Sequence, residues 1–228
     1  MLPMEVADRT FHIAYGDGEG TAFALDVRGQ QYLVTARHVV KGLVGSDELE
    51  IWSDGAWKAL PVQLTGHSDV DISVLSPLQQ LAYPEMILDC LGPETFFVGQ
   101  DMLFAGFPLG LQGVGYDSPF PTPLLKKAMV SALSGAGVKK PLFLDGHNNQ
   151  GFSGAPVYYL EPKTGRPIVV MVVASYTGEV TEALDAQERP TGHTIVQNSG
   201  IMAAFLIQNA LELIDANPNG LQVGHETR

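Results

Sequence analysis

A serine set between two glycines is the residue of this chain whose neighbours most clearly suit it to chemistry. The stretch Gln150-Gly151-Phe152-Ser153-Gly154-Ala155-Pro156 is followed by the strand-like run Val157-Tyr158-Tyr159-Leu160. A serine hydroxyl is a weak nucleophile until a base takes its proton. Flanking glycines let the backbone turn sharply and aim its N–H groups over that hydroxyl. Two readings follow. One is a surface turn, which Ser and Gly favour for local reasons. The other is a nucleophile, Ser153, with the N–H groups of Gly151 and Ser153 as an oxyanion hole. The second reading needs a base and a carboxylate that holds the base in the right tautomer and stabilises its charged form. Of the six histidines, His38 stands out, because it ends the apolar run Tyr32-Leu33-Val34-Thr35-Ala36 where the chain turns out of a strand. The alternative for His38 is a hydrogen-bonded core histidine. Asp71 opens the apolar stretch Ile72-Ser73-Val74-Leu75. A carboxylate there needs a partner, and an imidazole N–H would serve. Asp69 is the competing acid, better placed for solvent.

These residues must be held by strands. Turn signals divide residues 1–98 into short runs with two-residue alternation at 11–15, 21–27, 31–35, 49–53, 57–64 and 71–75. Residues 99–228 repeat the pattern at 102–107, 127–134, 141–145, 155–160, 168–176 and 193–197. The Pro- and Gly-containing segment 76–99 reads as the connection, with short helical turns expected over 78–82. Loops are expected at 108–123 and, acidic and polar, at 177–192. A helix over about 200–215, capped by Asn198 or Ser199, has Ile201, Phe205, Leu206, Leu213 and Ile214 toward one side. Two sets of six strands predict an all-β fold of two six-stranded antiparallel barrels, in two domains, 1–98 and 99–228. Barrels leave no open sheet edge.

Composition narrows the function. The 228 residues carry a formal charge of −12, which argues against a nucleic-acid partner, since phosphate binding needs clustered Lys and Arg. The pairs Lys126-Lys127 and Lys139-Lys140 read as solvated loop charges. The longest purely apolar run, 168–174, is too short to span a bilayer, so no membrane partner is expected. The single cysteine, Cys90, permits no intrachain disulfide and reads as a small core residue. The N-terminus lacks a basic region followed by an apolar one, so a cytoplasmic location is expected. No metal site has zinc spacing, and no cofactor is implied. The GxSxG elbow of α/β-hydrolases fails, because Ala155 stands where its second glycine belongs.

The motifs, taken in order, resemble the chymotrypsin-fold serine peptidases, and most closely the HtrA-type (Deg) branch. Gly20-Thr21-Ala22-Phe23 resembles the GTGF or GSGF opening strand. Residues 32–40 resemble the strand and turn that carry the catalytic histidine, and Asp71-Ile72-Ser73-Val74-Leu75 the DLAVL strand of the catalytic aspartate. Ala105-Gly106-Phe107-Pro108-Leu109-Gly110 resembles the GNPLG loop, Met129-Val130-Ser131-Ala132-Leu133 the GIVSAL strand, and residues 150–156 the PGNSGGP serine loop. The resemblance covers roughly residues 10–210. It implies His38 as general base, Asp71 as its orienting acid, Ser153 as nucleophile, Gly151 and Ser153 as oxyanion donors, and a protein or peptide as substrate.

The departures carry information too. Animal trypsin-like enzymes place an aspartate before the serine, to pair with an N-terminus freed by zymogen cleavage. Phe152 cannot make that pair, so such activation is not expected. The PDZ domain usual after HtrA peptidases is not expected either. The resemblance places the specificity pocket near His147, near Ser175, Tyr176 and Thr177, which should pair with substrate backbone, and near His193. No aspartate stands at the expected pocket base, so a Lys/Arg preference is not implied. Phe152 and Ala155 also suit another expectation, a catalytically weak module that binds protein or peptide in the cleft.

Overall fold

Two-residue alternation and turn residues lay down nearly all of this molecule as strand. The computed structural model describes residues 2–83, 88–90, 96–114 and 118–223. A single-turn helix α1 (Met4–Ala7) leads into β1 (Thr10–Tyr15), β2 (Gly18–Val27), β3 (Gln30–Thr35), β4 (Ser46–Ser53), β5 (Ala56–His67) and β6 (Ser73–Pro77). These six run in the order β3-β2-β1-β4-β5-β6, every pair antiparallel. A β3–β6 pairing, Leu33 opposite Leu75, closes the ring.

The second half contributes β7 (Asp89–Cys90), β8 (Asp101–Gly106), β9 (Leu124–Leu133), β10 (Leu142–Asp145), β11 (Pro156–Leu160), β12 (Pro167–Leu184) and β13 (Pro190–Leu206). The order β11-β8-β9-β10-β13-β12 closes through β11 and β12. Strand β7 adds alongside β12 in parallel. The chain ends with helix α2 (Gln208–Ala216) and β14 (Leu221–Gln222), which pairs back onto β3. The fold is chymotrypsin-like.

Residues 20–25 of β2 are buried without a break, where one-sided alternation would bury every second residue. The reason is a core on each side. Ala22 and Ala24 point into the first barrel, while Phe23 and Leu25 point into a third apolar cluster between the barrels. That cluster also takes Tyr158 and Val172 from the second barrel and Ile214 from α2. Buried on both faces, such a strand reads as a continuous apolar run.

Three expectations are corrected. The helix begins at Gln208 and not near Ser199. Residues 201–206 continue β13, paired with β10 on one side and β12 on the other. Met202, Ala204 and Leu206 are buried while their neighbours are less so, so a central strand's two-residue period overrides a chance 3.6-residue spacing. Residues 177–192 are no polar loop. They complete a long β12–β13 hairpin that extends to Leu184 opposite Pro190. No helical turn forms over 78–82. There the Leu81 and Ala82 N–H groups donate instead to the buried Gln31 side-chain oxygen, at 2.8 and 3.2 Å. The remainder of the connection, 84–87 and 91–95, lies outside the described residues, as do 115–117 and the tail 224–228. Among the described residues no helix is long and apolar enough to cross a membrane.

Candidate active site

His38 and Asp71 come from the first barrel, Ser153 from the second. His38 stands in the turn after β3, and Asp71 in the bend before β6. The β3–β6 pairing that closes the barrel brings these two strand ends together. His38 Nδ1 lies 2.7 Å from Asp71 Oδ2, and the His38 backbone N–H donates to Oδ1 at 2.9 Å. The carboxylate therefore holds both the ring and the main chain of the histidine. Asp69, the competing acid, faces away and pairs with Lys139. The hydrogen bond from Lys139 and its charge hold the Asp69 carboxyl below its ordinary value. The Ser153 hydroxyl donates at 3.4 Å to the Ala174 carbonyl, and no hydrogen bond joins it to His38 among the described residues. Catalytic hydrogen bonds are often loose before substrate binds.

Around Ser153, the carbonyl oxygens of residues 149–153 are all occupied. Asn149 accepts from the Phe152 N–H at 3.2 Å, Gln150 from the Leu109 N–H at 2.8 Å, and Phe152 from the Ala155 N–H at 2.9 Å. The other two carbonyls are taken by Thr21 of β2. Its hydroxyl donates to Gly151 and its N–H to Ser153, both at 2.8 Å. By contrast, the N–H groups of Gly151 and Ser153 have no acceptor among the described residues. No peptide bond among the described residues is cis, so the Gly151 N–H points opposite to the Gln150 carbonyl, away from Leu109. The glycine is required here. Gly151 has φ +100°, and a Cβ would sit 2.2 Å from the Phe107 carbonyl.

Phe152, which cannot form the zymogen ion pair, is fully buried edge-on to Phe104 with centroids 4.8 Å apart. The ammonium of Lys126 lies 5.4 Å from its ring centroid and donates to the His147 carbonyl and to Asn149 Oδ1, each at 2.7 Å. One cation thus binds the start, the middle and the aromatic anchor of the serine loop. Partial burial lowers the Lys126 amine from its ordinary value. Lys126 lies in β9 and corrects the reading of Lys126-Lys127 as loop charges. It shares parity with the buried Ala128 and Val130, a two-residue signal that the sequence carried. Leu109, Asn149 and the hydroxyl of Thr21 were also missed. Leu109 and the Thr21 hydroxyl donate to loop carbonyls and the Asn149 side chain accepts from Lys126, contacts between segments distant in sequence that no local pattern announces.

Of the residues expected to shape specificity, His147 is exposed at the head of the serine loop, and its buried neighbour is Asn148. Ser175, Tyr176 and Thr177 lie on β12 just past Ala174 and are exposed. Tyr176 is paired with the fully buried Met202. His193 is not with them. It falls in the outer hairpin, nine residues before Met202, between the Thr194–Glu182 and Pro190–Leu184 pairs. Cys90 is no competing nucleophile, because burial pushes its thiol up to about 12. Among the described residues no group of His, Cys, Asp and Glu could hold a metal ion.

Residues 20–166 match the family described as "Trypsin-like peptidase domain". No curated protein matched the sequence. Among solved structures, the chain is similar to the HtrA-type protease AlgW with tripeptide, at 18% identity and a TM-score of 0.61, covering 93% of this chain and 61% of that one. It is also similar to the serine endoprotease from Yersinia pestis, at 15% identity and a TM-score of 0.57, covering 95% and 67%. For Deg5 the values are 20% identity and a TM-score of 0.52, with 75% and 81% covered. The chain thus spans 61% of the length of AlgW, and at these identities the likeness speaks for the fold. The family match, which covers more than half of the sequence, shows that this chain belongs to the trypsin-like peptidases.

Proposed function

We propose that this chain is a serine endopeptidase that cleaves protein or peptide substrates through an acyl-enzyme. The observation that carries this reading is the state of the serine loop. Every carbonyl from residue 149 to 153 is held elsewhere, and the N–H groups of Gly151 and Ser153 have no acceptor among the described residues. A surface turn would have no need of such an arrangement, whereas an oxyanion requires donors fixed in place before it forms.

The steps use these residues alone. The Ser153 hydroxyl swings from the Ala174 carbonyl toward the imidazole of His38, which takes its proton through Nε2. The oxygen attacks the scissile carbonyl, and the new oxyanion accepts from the Gly151 and Ser153 N–H groups. Asp71, on Nδ1, stabilises the charged ring. His38 returns the proton to the departing amine, which leaves an ester on Ser153. Water, deprotonated by His38, then cleaves that ester.

Among the described residues, the lack of a Ser153–His38 hydrogen bond favours the second reading, a binding module with a silent site. One experiment separates them. A fluorophosphonate probe at pH 8 is expected to label folded protein at Ser153, and Ser153→Ala is expected to lose about 10⁴-fold or more of turnover on peptide substrates. Unlabelled protein with an intact circular dichroism spectrum would establish the binding module.

A further inference from the structure

Strand β12 runs well beyond the barrel, and one of its edges leads straight out of the candidate active site. On that edge β11 pairs up to Val172. Next, Gly154 and Ala155 exchange hydrogen bonds with Val173, and the Ser153 hydroxyl reaches the Ala174 carbonyl. Beyond Ala174, no strand pairs with this edge among the described residues, and residues 175–182 are exposed. The opposite edge is covered by β13 as far as Leu184. The Thr177 carbonyl accepts from the Ser199 hydroxyl and the Ala183 carbonyl from the Thr191 hydroxyl, each at 2.7 Å. Odd-numbered residues therefore turn their backbone groups toward β13. Strand alternation turns those of Tyr176, Gly178, Val180 and Glu182 to the open edge.

Substrate pairing at Ser175–Thr177 is what the family resemblance implies; resting on the peptidase reading above, we infer that the edge beyond it, residues 178–182, extends that subsite for the substrate chain further N-terminal to the scissile bond. A peptide that continues the line of β11 runs antiparallel to β12, so its N-terminal end points outward along the hairpin. If the residue supplying the scissile carbonyl lies beside Ala174, the third residue on that side pairs with Tyr176, the fifth with Gly178, the seventh with Val180 and the ninth with Glu182. The occupant is an extended, basic segment. Glu179 and Glu182 make no ion pair among the described residues, while Arg189, on the same hairpin, is bound by Asp185. The sixth substrate residue lies opposite Glu179 and the ninth opposite Glu182, where Lys or Arg is favoured.

The test uses Ser153→Ala protein and fluorescent peptides that share one sequence around the scissile bond and carry three, five, seven or nine residues before it. Fluorescence anisotropy is expected to show affinity rising at each step, by about tenfold or more in total. Lys at the sixth position is expected to bind about two- to fivefold tighter than Glu at low salt. Val180→Pro removes an outward N–H that no protein strand uses, a position where an edge tolerates proline, and should flatten the gain beyond the fifth residue. A chain with residues 179–197 replaced by an Asn-Gly turn keeps Gly178, so it should bind the three- and five-residue peptides as before and gain nothing from the seven- and nine-residue ones. Affinity independent of peptide length, or a gain beyond the fifth residue that survives removal of the hairpin, overturns the inference. So does a hairpin edge taken by a second copy, seen as a dimer that Val180→Pro dissociates and that shows no length dependence. Binding to Ser153→Ala protein needs no turnover. An inactive wild type would therefore remove the peptidase reading alone, and active wild type without length dependence would remove this inference alone.

Discussion

On the peptidase reading proposed above, Lys126 does for this serine loop what an aspartate before the serine does in animal trypsin-like enzymes. There an ion pair fixes the loop. Here Phe152 is buried at that place, and the Lys126 ammonium holds the His147 carbonyl, the Asn149 side chain and the face of Phe152 together. The cation touches no reacting atom, so it is a positioning residue. Lys126→Met keeps an apolar stem against Phe152 and removes both hydrogen bonds. The free Gly151 and Ser153 N–H groups then lose one of the ties that aim them, and oxyanion stabilisation falls steeply with misalignment. The expected result is a fall in kcat of about ten- to a hundredfold with KM little changed, and partial rescue in Lys126→Arg. Equal losses in kcat and in thermal stability, with no rescue by arginine, would reduce Lys126 to a packing residue.

At the scale of elements, the loop after β8 links the serine loop to the first barrel. Its Phe107 stacks on His12 of β1, with centroids 5.1 Å apart and planes 15° apart, and Trp57 of β5 closes the other side at 4.7 Å. His12 Nε2 lies 2.8 Å from Glu19 Oε1. Burial lowers His12 below its ordinary value, and the contact with Glu19 only partly opposes this. As pH falls through about 6.5 the unfolded chain takes up the proton first. The fold therefore loses stability from there down to the lower folded value, and the loss levels off below it. His12→Phe keeps the stacking and cannot titrate. Its melting temperature relative to wild type should be constant above about pH 7 and shift in its favour as pH falls below 6.5. A difference independent of pH would show that His12 does not titrate in this window. The strands themselves were largely legible. All twelve expected strands are present; eleven lie in the barrels, where apolar alternation or continuous apolar runs and the turns between them are local signals, and the twelfth, 193–197, lies in the outer hairpin. His38 and Asp71 were picked out by local motifs, and the structure brings the two together. The rest of the outer hairpin was not legible. Exposed on both faces, it has no apolar alternation to read, and its acidic residues looked like loop. Nor was the strand at 201–206, whose fate depends on β10 and β12 on either side of it.

At the scale of the whole molecule, the chemistry proposed here depends on how two barrels are joined, and the join is narrow where the serine loop meets β2. Glycines permit the approach. A Cβ on Gly154 would fall 2.0 Å from the Thr21 carbonyl, and one on Gly106 would fall 2.6 Å from the Thr21 hydroxyl. Thr21 fills the space they leave. Its hydroxyl donates to Gly151 and accepts from the Phe107 N–H at 3.2 Å, its N–H donates to Ser153, and its carbonyl accepts from Thr35 at 2.7 Å. The wider interface holds without it, through the apolar cluster between the barrels and through α2, whose following residues Asn217 and Asn219 bond to Thr65 of β5. Stability and activity should therefore separate in Thr21→Val, which preserves shape and deletes only the hydroxyl. The Gly151 carbonyl and the Phe107 N–H are left buried without that partner, at a cost of about 2 kcal/mol. For a chain of this length that is a melting shift of roughly 4–8 °C, still as one transition. The freed Gly151 carbonyl belongs to the peptide that spaces the two donor N–H groups, so on the proposed reading their relative aim loosens and kcat should fall by up to about a hundredfold, while anisotropy should find peptide binding along β12 unchanged. Calorimetry with two separated transitions, or a kcat that falls no further than the loss of folded protein explains, would mean that Thr21 serves the join between the barrels and leaves the oxyanion loop to Leu109 and Lys126.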